Sequence, residues 1–189
     1  MNRRESEISI VGKQPRLLLI AGTGRNSGKT SFACRMIEQF KETAPVVAFK
    51  VSPHRHRLSP GGKIILNDEN LYIAEETDPG TGKDSSRMLA AGAFRSFFII
   101  APDTELVRAW GILQGLAGFD KFYIGESGGL RNYLLPGLFI VICHPREESR
   151  KPGRYKFKNL ADAEITYDGK CFDFDINRIK MAENAWKIF

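Results

Sequence analysis

The sequence predicts an α/β fold of three layers, with a mostly parallel central sheet flanked by helices and a projecting β-hairpin. Three observations carry this expectation. Short, nearly continuous apolar runs at residues 16–20, 46–51, 97–100, 122–124 and 138–143 are of the kind that forms strands buried on both faces. Stretches with apolar residues three and four apart lie between them, so that strand, helix and strand alternate as in right-handed parallel crossovers. A glycine-rich segment, residues 21–31, joins the first such run to the first helical stretch.

Size and charge set bounds. At 189 residues the chain fits one domain with a full core. Its 28 Lys and Arg against 22 Asp and Glu leave a formal charge of +6, which suits an anionic ligand or acidic partner without calling for nucleic acid. Cys34, Cys143 and Cys171 are odd in number and lack metal-ligand spacing, so reduced thiols in a cytoplasmic protein are expected. Residues 1–7 are charged and lead into no apolar run of signal-peptide length. No apolar stretch reaches the ~20 residues that span a bilayer, which argues against membrane insertion.

Taken in order, residues 8–11 suggest a short edge strand or arm, and Lys13, Gln14 and Pro15 a break before the first core strand at 16–20. A helix is expected over 29–41, with Phe32, Met36, Ile37 and Phe40 on one face. After Pro45 comes the buried strand 46–51. Overlapping its end are Lys50, His54, Arg55, His56 and Arg57, placed beyond a strand's carboxyl end, where ligands gather in such sheets. These residues suit either phosphate or metal contact, or a solvated basic loop.

Residues 63–66 and 71–74 read as a hairpin around a polar four-residue turn. Asp84 or Ser85 is expected to cap a short helix ending near Gly92, and 97–100 forms the next strand. Asp103 caps a longer helix over 105–116, with Leu106, Trp110, Leu113 and Leu116 along one face. The strand at 122–124 runs into Gly125, Glu126, Ser127 and Gly128. Residues 138–143, the most apolar run, are expected near the sheet centre. The basic segment 144–158, with Arg146, Arg150, Lys151, Arg154, Lys156 and Lys158, reads equally as a clamp on an anionic ligand or as a charged surface loop. A last strand over 160–167 and a closing helix capped by Asp175 and running through Ile179 and Trp186 complete the chain.

The glycine-rich segment carries the chemistry. A strand, a glycine-rich turn and a helix starting near Gly28 aim several backbone N–H groups and a helix N-terminus at one place, a site for a phosphate chain. The candidate contacts are Thr23, Gly24, Arg25, Asn26, Ser27, Gly28, Lys29, Thr30 and Ser31. Lys29 reaches the outer phosphates as a point charge, and the Thr30 hydroxyl suits a Mg²⁺ held on the same phosphates. Thr23 stands where the usual pattern has its first glycine. Glu126, an acid at a strand end facing this loop, is the candidate for the magnesium side; the bland alternative is a loop carboxylate facing water.

Gly22-Thr23, four residues and Gly28-Lys29-Thr30 resemble the loop of dethiobiotin synthetase. Lys50 with His54 and His56, the block 82–87 followed by Ala90-Ala91-Gly92-Ala93, and residues 122–129 together resemble the molybdopterin-guanine dinucleotide biosynthesis protein B family, small P-loop proteins that bind GTP and assist molybdenum cofactor maturation. The likeness covers roughly residues 16–143. It implies phosphate contacts from Gly24 to Thr30, a role near the nucleotide for Lys50, Asp84 and Glu126, and catalytic work by Lys29, Lys50 and Glu126. Thr30, Glu126 and Asp84 are its metal candidates. Residues 165–170 stand where related GTPases carry an Asn-Lys-x-Asp base reader, so guanine preference rests on analogy alone.

Three functions follow as expectations. The first is a Mg²⁺-dependent GTP- or ATP-binding protein, a slow hydrolase or an adaptor for a partner enzyme of molybdenum cofactor maturation. The second is an ATP-dependent ligase or kinase resembling dethiobiotin synthetase. The third is a non-enzymatic module in which nucleotide orders the hairpin for a partner. Whether the chain forms a homodimer is left open by the residues.

Overall fold

A computed structural model describes residues 10–24, 26–53, 62–144 and 155–189. The chain forms an α/β structure around a mostly parallel eight-stranded sheet. In chain order its elements are β1 (Gly12–Gly22), α1 (Lys29–Phe40), β2 (Val46–Ser52), β3 (Lys63–Asn67), β4 (Tyr72–Glu75), α2 (Asp84–Ala90), β5 (Arg95–Ile100), α3 (Leu106–Ala117), β6 (Phe122–Glu126), β7 (Leu134–Cys143), α4 (Tyr155–Lys158), β8 (Ala163–Thr166), β9 (Ile179–Ala182) and β10 (Ala185–Ile188). The large sheet runs β3-β4-β5-β2-β6-β1-β7-β8, and β9 and β10 form a separate two-stranded sheet. From β5 to β8 every neighbouring pair is parallel, while β4 is antiparallel to both β5 and β3.

Both faces of the sheet are covered, as its unbroken apolar strands require. Leu17, Leu19 and Phe49 pack with Leu106, Trp110 and Leu113 of α3 on one side. Leu18, Ile20 and Ala48 pack with Phe32, Met36 and Ile37 of α1 and Met88 of α2 on the other. The helical spacing of Phe32, Met36, Ile37 and Phe40 is thus the buried face of α1.

Four features differ from the sequence-based expectation, each for a local reason. Pro15 does not break the first strand. β1 continues through it, with an irregularity in the β1–β7 register between Gln14 and Leu18 that accommodates a residue lacking an N–H. The hairpin at 63–75 does not project: β4 pairs with β5 and buries Leu71 and Ile73, which makes the hairpin the edge of the main sheet. β7 lies next to the far edge, whereas β2 and β6 hold the middle. The expected closing helix is a short 3-10 turn at Ile176–Arg178 followed by the β9–β10 hairpin. Asp175 does cap that turn, accepting from the Asn177 N–H. Glu183 and Asn184 take positive φ of 51° and 62°, the backbone of a tight two-residue hairpin turn.

Two capping expectations also change. Neither Asp84 nor Asp103 makes a side-chain cap: Lys83 occupies the N-cap of α2, and Asp103 opens a 3-10 turn that leads into α3. No helix among the described residues is long and apolar enough to cross a membrane.

Candidate functional site

The strand register brings two of the predicted residues together. In the ladder Lys50 of β2 stands directly beside Glu126 of β6, and Glu126 beside Ile20 of β1. Side chains alternate across a strand, so Lys50 and Glu126 emerge on the same face as Ala48 and Ile124, which is the face covered by α1 and α2. They sit just past the core, where the carboxyl ends of the strands open beneath the start of α1.

Glu126 is the hub. It is 3% exposed, and a carboxylate so placed needs charge partners and hydrogen-bond donors. Thr30 Oγ1 donates to its Oε2 at 2.7 Å, and the Lys50 ammonium pairs closely with its Oε1. Lys29 Nζ lies 3.9 Å from the same Oε1, and Lys50 also reaches Asp84 Oδ2 at 3.2 Å. Two strands and two helices thereby meet through one chain of charges, Asp84–Lys50–Glu126–Thr30.

The turn between β1 and α1 supplies the other wall. Gly28 is the N-cap of α1 in a left-handed conformation, φ 91°. A Cβ there would lie 2.5 Å from the Tyr167 ring, so both backbone and space demand glycine. Asn26 also takes a positive φ, 58°. Lys29 folds back over the turn, with its Nζ 2.6 Å from the Gly24 carbonyl and 3.1 Å from Ser27 Oγ. Gly22 permits this: a Cβ on it would collide with the Ser27 hydroxyl and the Lys29 stem.

These groups surround a cleft of about 650 Å³. Of the predicted contacts, Gly24, Asn26, Ser27, Gly28, Lys29, Thr30, Ser31, Lys50, Asp84 and Glu126 all line it. Thr23 does not. Its buried hydroxyl accepts from the His144 N–H at 3.4 Å and its own N–H bonds the Ile142 carbonyl, so it ties the turn to β7. Arg25, the residues His54, Arg55, His56 and Arg57, and the segment 145–154 with Arg146, Arg150, Lys151 and Arg154 lie outside the described residues.

Arg87 and Tyr167 are among the lining residues not singled out from the sequence. Arg87 stands three residues after Asp84, on the same face of α2, and its Nη2 donates to Ser31 Oγ at 3.0 Å. That spacing from a suspected site residue was the available signal. Tyr167 directly follows β8, again at a strand's carboxyl end. Its ring stacks on Phe172 with centroids 4.5 Å apart, and its N–H bonds the Cys143 carbonyl.

No protein-family model, curated protein or solved structure matches the chain. The chemistry of the cleft has to be read from its own atoms. Backbone N–H groups at a helix start and three side-chain cations, Lys29, Lys50 and Arg87, line it, groups of the kind that hold an extended anion. Among the described residues no group of three or more His, Cys, Asp or Glu side chains is placed to hold a metal ion. Thr30, Glu126 and Asp84 are nevertheless hard oxygen donors, the type Mg²⁺ takes when phosphates and water complete its shell. The contact between Thr30 and the buried Glu126 puts two of them side by side.

Proposed function

We propose that the chain binds a nucleoside triphosphate together with Mg²⁺ and either hydrolyses it slowly or uses it as an adaptor in molybdenum cofactor maturation. The observation that carries this reading is the meeting of Thr30 with Glu126 at the mouth of a glycine-rich strand-to-helix turn, with two lysines on the same carboxylate. A P-loop site asks for this set: a lysine for the outer phosphates, a hydroxyl beside the metal position, and an acid at the end of the neighbouring strand.

In the proposed reaction Lys29 leaves the Gly24 carbonyl and turns to the phosphate oxygens. The backbone N–H groups around Gly28 hold the inner phosphates. Lys50 holds Glu126 through Oε1, so that its second oxygen stays on the Thr30 side. Thr30, with Glu126 behind it, is where Mg²⁺ would be held, and there it would neutralise charge on the outer phosphates. In this reading Lys29 spreads the charge of the phosphates as water attacks, and turnover is slow. A ligase or kinase is the second reading. What favours it is Arg87 on α2, a cation beyond the glycine-rich turn that suits an acidic second substrate.

Calorimetric titration with non-hydrolysable GTP and ATP analogues, with and without Mg²⁺, tests the proposal. Binding that strengthens with Mg²⁺ and is lost in Lys29→Ala is expected. Preference for the GTP analogue supports the cofactor-maturation reading, and preference for the ATP analogue supports the ligase or kinase. Equal affinity of Lys29→Ala and the unaltered protein for either analogue would overturn the site.

A further inference from the structure

The charges lining the cleft do not cancel. Lys29, Lys50 and Arg87 face Glu126 and Asp84, which leaves one positive charge in excess among the described lining residues. The carboxylates are already engaged. Glu126 lies between Lys50 and Lys29, and Asp84 is turned to Lys50 at 3.2 Å. Arg87 is the cation left over. Among the described residues its guanidinium has a neutral partner, the Ser31 hydroxyl at 3.0 Å, and it carries five N–H donors.

Position adds direction to this excess. Tyr167 follows β8, on one side of β1, whereas Lys50, Asp84 and Arg87 lie on the other, toward β2 and α2. Lys29 and Thr30 stand between. An anion chain lying along the start of α1 with its metal-bound portion at Thr30 and Glu126 therefore ends on the α2 side. Arg87 is exposed and its stem is long, so its guanidinium can exchange Ser31 for a charged oxygen at little cost to the fold.

We infer that Arg87 is the ligand of the terminal phosphate, the residue by which this site tells a nucleoside triphosphate from a diphosphate. The inference rests on the nucleotide-binding reading above and deepens it. Arg87 makes charge-assisted N–H···O bonds to the outermost phosphate, and a diphosphate leaves it on Ser31. It supplies in cis the cation that spreads the charge of a transferring phosphoryl group.

Titration of the full chain with Mg²⁺ and a non-hydrolysable triphosphate analogue, and in parallel with the matching diphosphate, tests this in the unaltered protein and in Arg87→Gln, Arg87→Lys and Lys29→Ala. Arg87→Gln is expected to lose roughly ten- to a hundredfold in triphosphate affinity, the range of one or two charge-assisted bonds, and less than about threefold for the diphosphate. Arg87→Lys keeps the charge without the fork and falls between. A triphosphate preference unchanged in Arg87→Gln would overturn the inference, as would an equal loss of both nucleotides with a lowered melting temperature, the mark of a residue that only pins α2 to α1. Lys29→Ala separates the two levels. If it weakens both nucleotides while Arg87→Gln keeps the preference, the Arg87 assignment alone falls. If the unaltered protein binds neither, the nucleotide-binding reading falls with it.

Discussion

At the amino end of β1 the Trp186 indole N–H, on a residue 1% exposed, donates to the backbone carbonyls of Arg16 and Tyr123, and the Tyr123 hydroxyl donates to that of Gly118. At the carboxyl end the buried Glu126 is met by side chains: Thr30, Lys50 and Lys29. At both ends these polar groups have partners, although the buried Trp110 indole N–H beside Tyr123 has none among the described residues. The amino end does so against carbonyls fixed in the sheet, with Phe40 and Phe122 packed edge-on to the Trp186 ring, and the cleft beside Arg16 and Tyr123 there is the smaller, about 210 Å³. The carboxyl end uses long side chains that can rotate to a ligand and back, and it encloses space. Polar satisfaction through backbone makes structure, and through mobile charged side chains it keeps a site available.

The strongest test of this contrast is Trp186→Ala. Removing a fully buried ring that joins the hairpin, β1 and β6 should lower unfolding free energy by about 3–5 kcal/mol, measured by denaturant titration. Nucleotide affinity of the folded protein should be retained. Loss of affinity at unchanged stability would show that the two ends are not separate. Next in size is Glu126→Gln, which keeps the shape but removes the charge facing two lysines. A stability cost of about 1–3 kcal/mol is expected, with Mg²⁺ dependence of nucleotide binding reduced more than binding itself. A titration showing equal loss of both, or of neither, would refute its metal role.

A smaller effect separates the ends by pH. Arg95 grips Glu75 with two bonds, 2.6 and 2.7 Å, where β4 meets the start of β5. Hydrogen bonding from Arg95 holds the Glu75 carboxyl below its ordinary 4.5, against the opposing effect of burial. A carboxyl depressed in the folded state stabilises above its unfolded value, and that stability disappears as pH falls through the lowered one. Melting temperature should therefore drop below about pH 4.5, and less steeply in Glu75→Gln. Parallel curves would remove the pair from the acid response. The least effect concerns Cys34 on α1, whose thiol burial pushes up to about 11. In the native protein the exposed Cys171 should be alkylated well before Cys34. Rapid labelling of Cys34 would show that the α1 face opens.

Much of this was legible in the sequence, because the parallel strands are unbroken apolar runs and their carboxyl ends are where a glycine turn, Lys50 and Glu126 had to converge. The register that puts Lys50 beside Glu126 was not legible; it depends on which strands neighbour which. Ile179 and Trp186 illustrate a real ambiguity. Seven residues are two turns of a helix, but they also separate two arms of a hairpin, and the alternation Ile179, Met181 and Trp186, Ile188 around Glu183-Asn184 is the signal that decides. Pro15 misled for another reason: its missing N–H is harmless at an irregularity in the ladder. Arg87 escaped because an exposed arginine on a helix looks like solvation until the neighbouring carboxylate is seen to be engaged elsewhere.

The position of β1 between β6 and β7 has a kinetic side. Leu17 first finds a strand partner at Tyr123, and Ile20 at Glu126, with its β7 partner, Ile140, later still. As the chain leaves the ribosome at about 5–20 residues per second, the strand that anchors the glycine turn waits several seconds for either neighbour. Contacts so distant in sequence make folding slow. During that interval Leu17, Leu18, Leu19 and Ile20 form an unpaired apolar edge, the segment through which a newly made chain is most exposed to aggregation and to capture by chaperones.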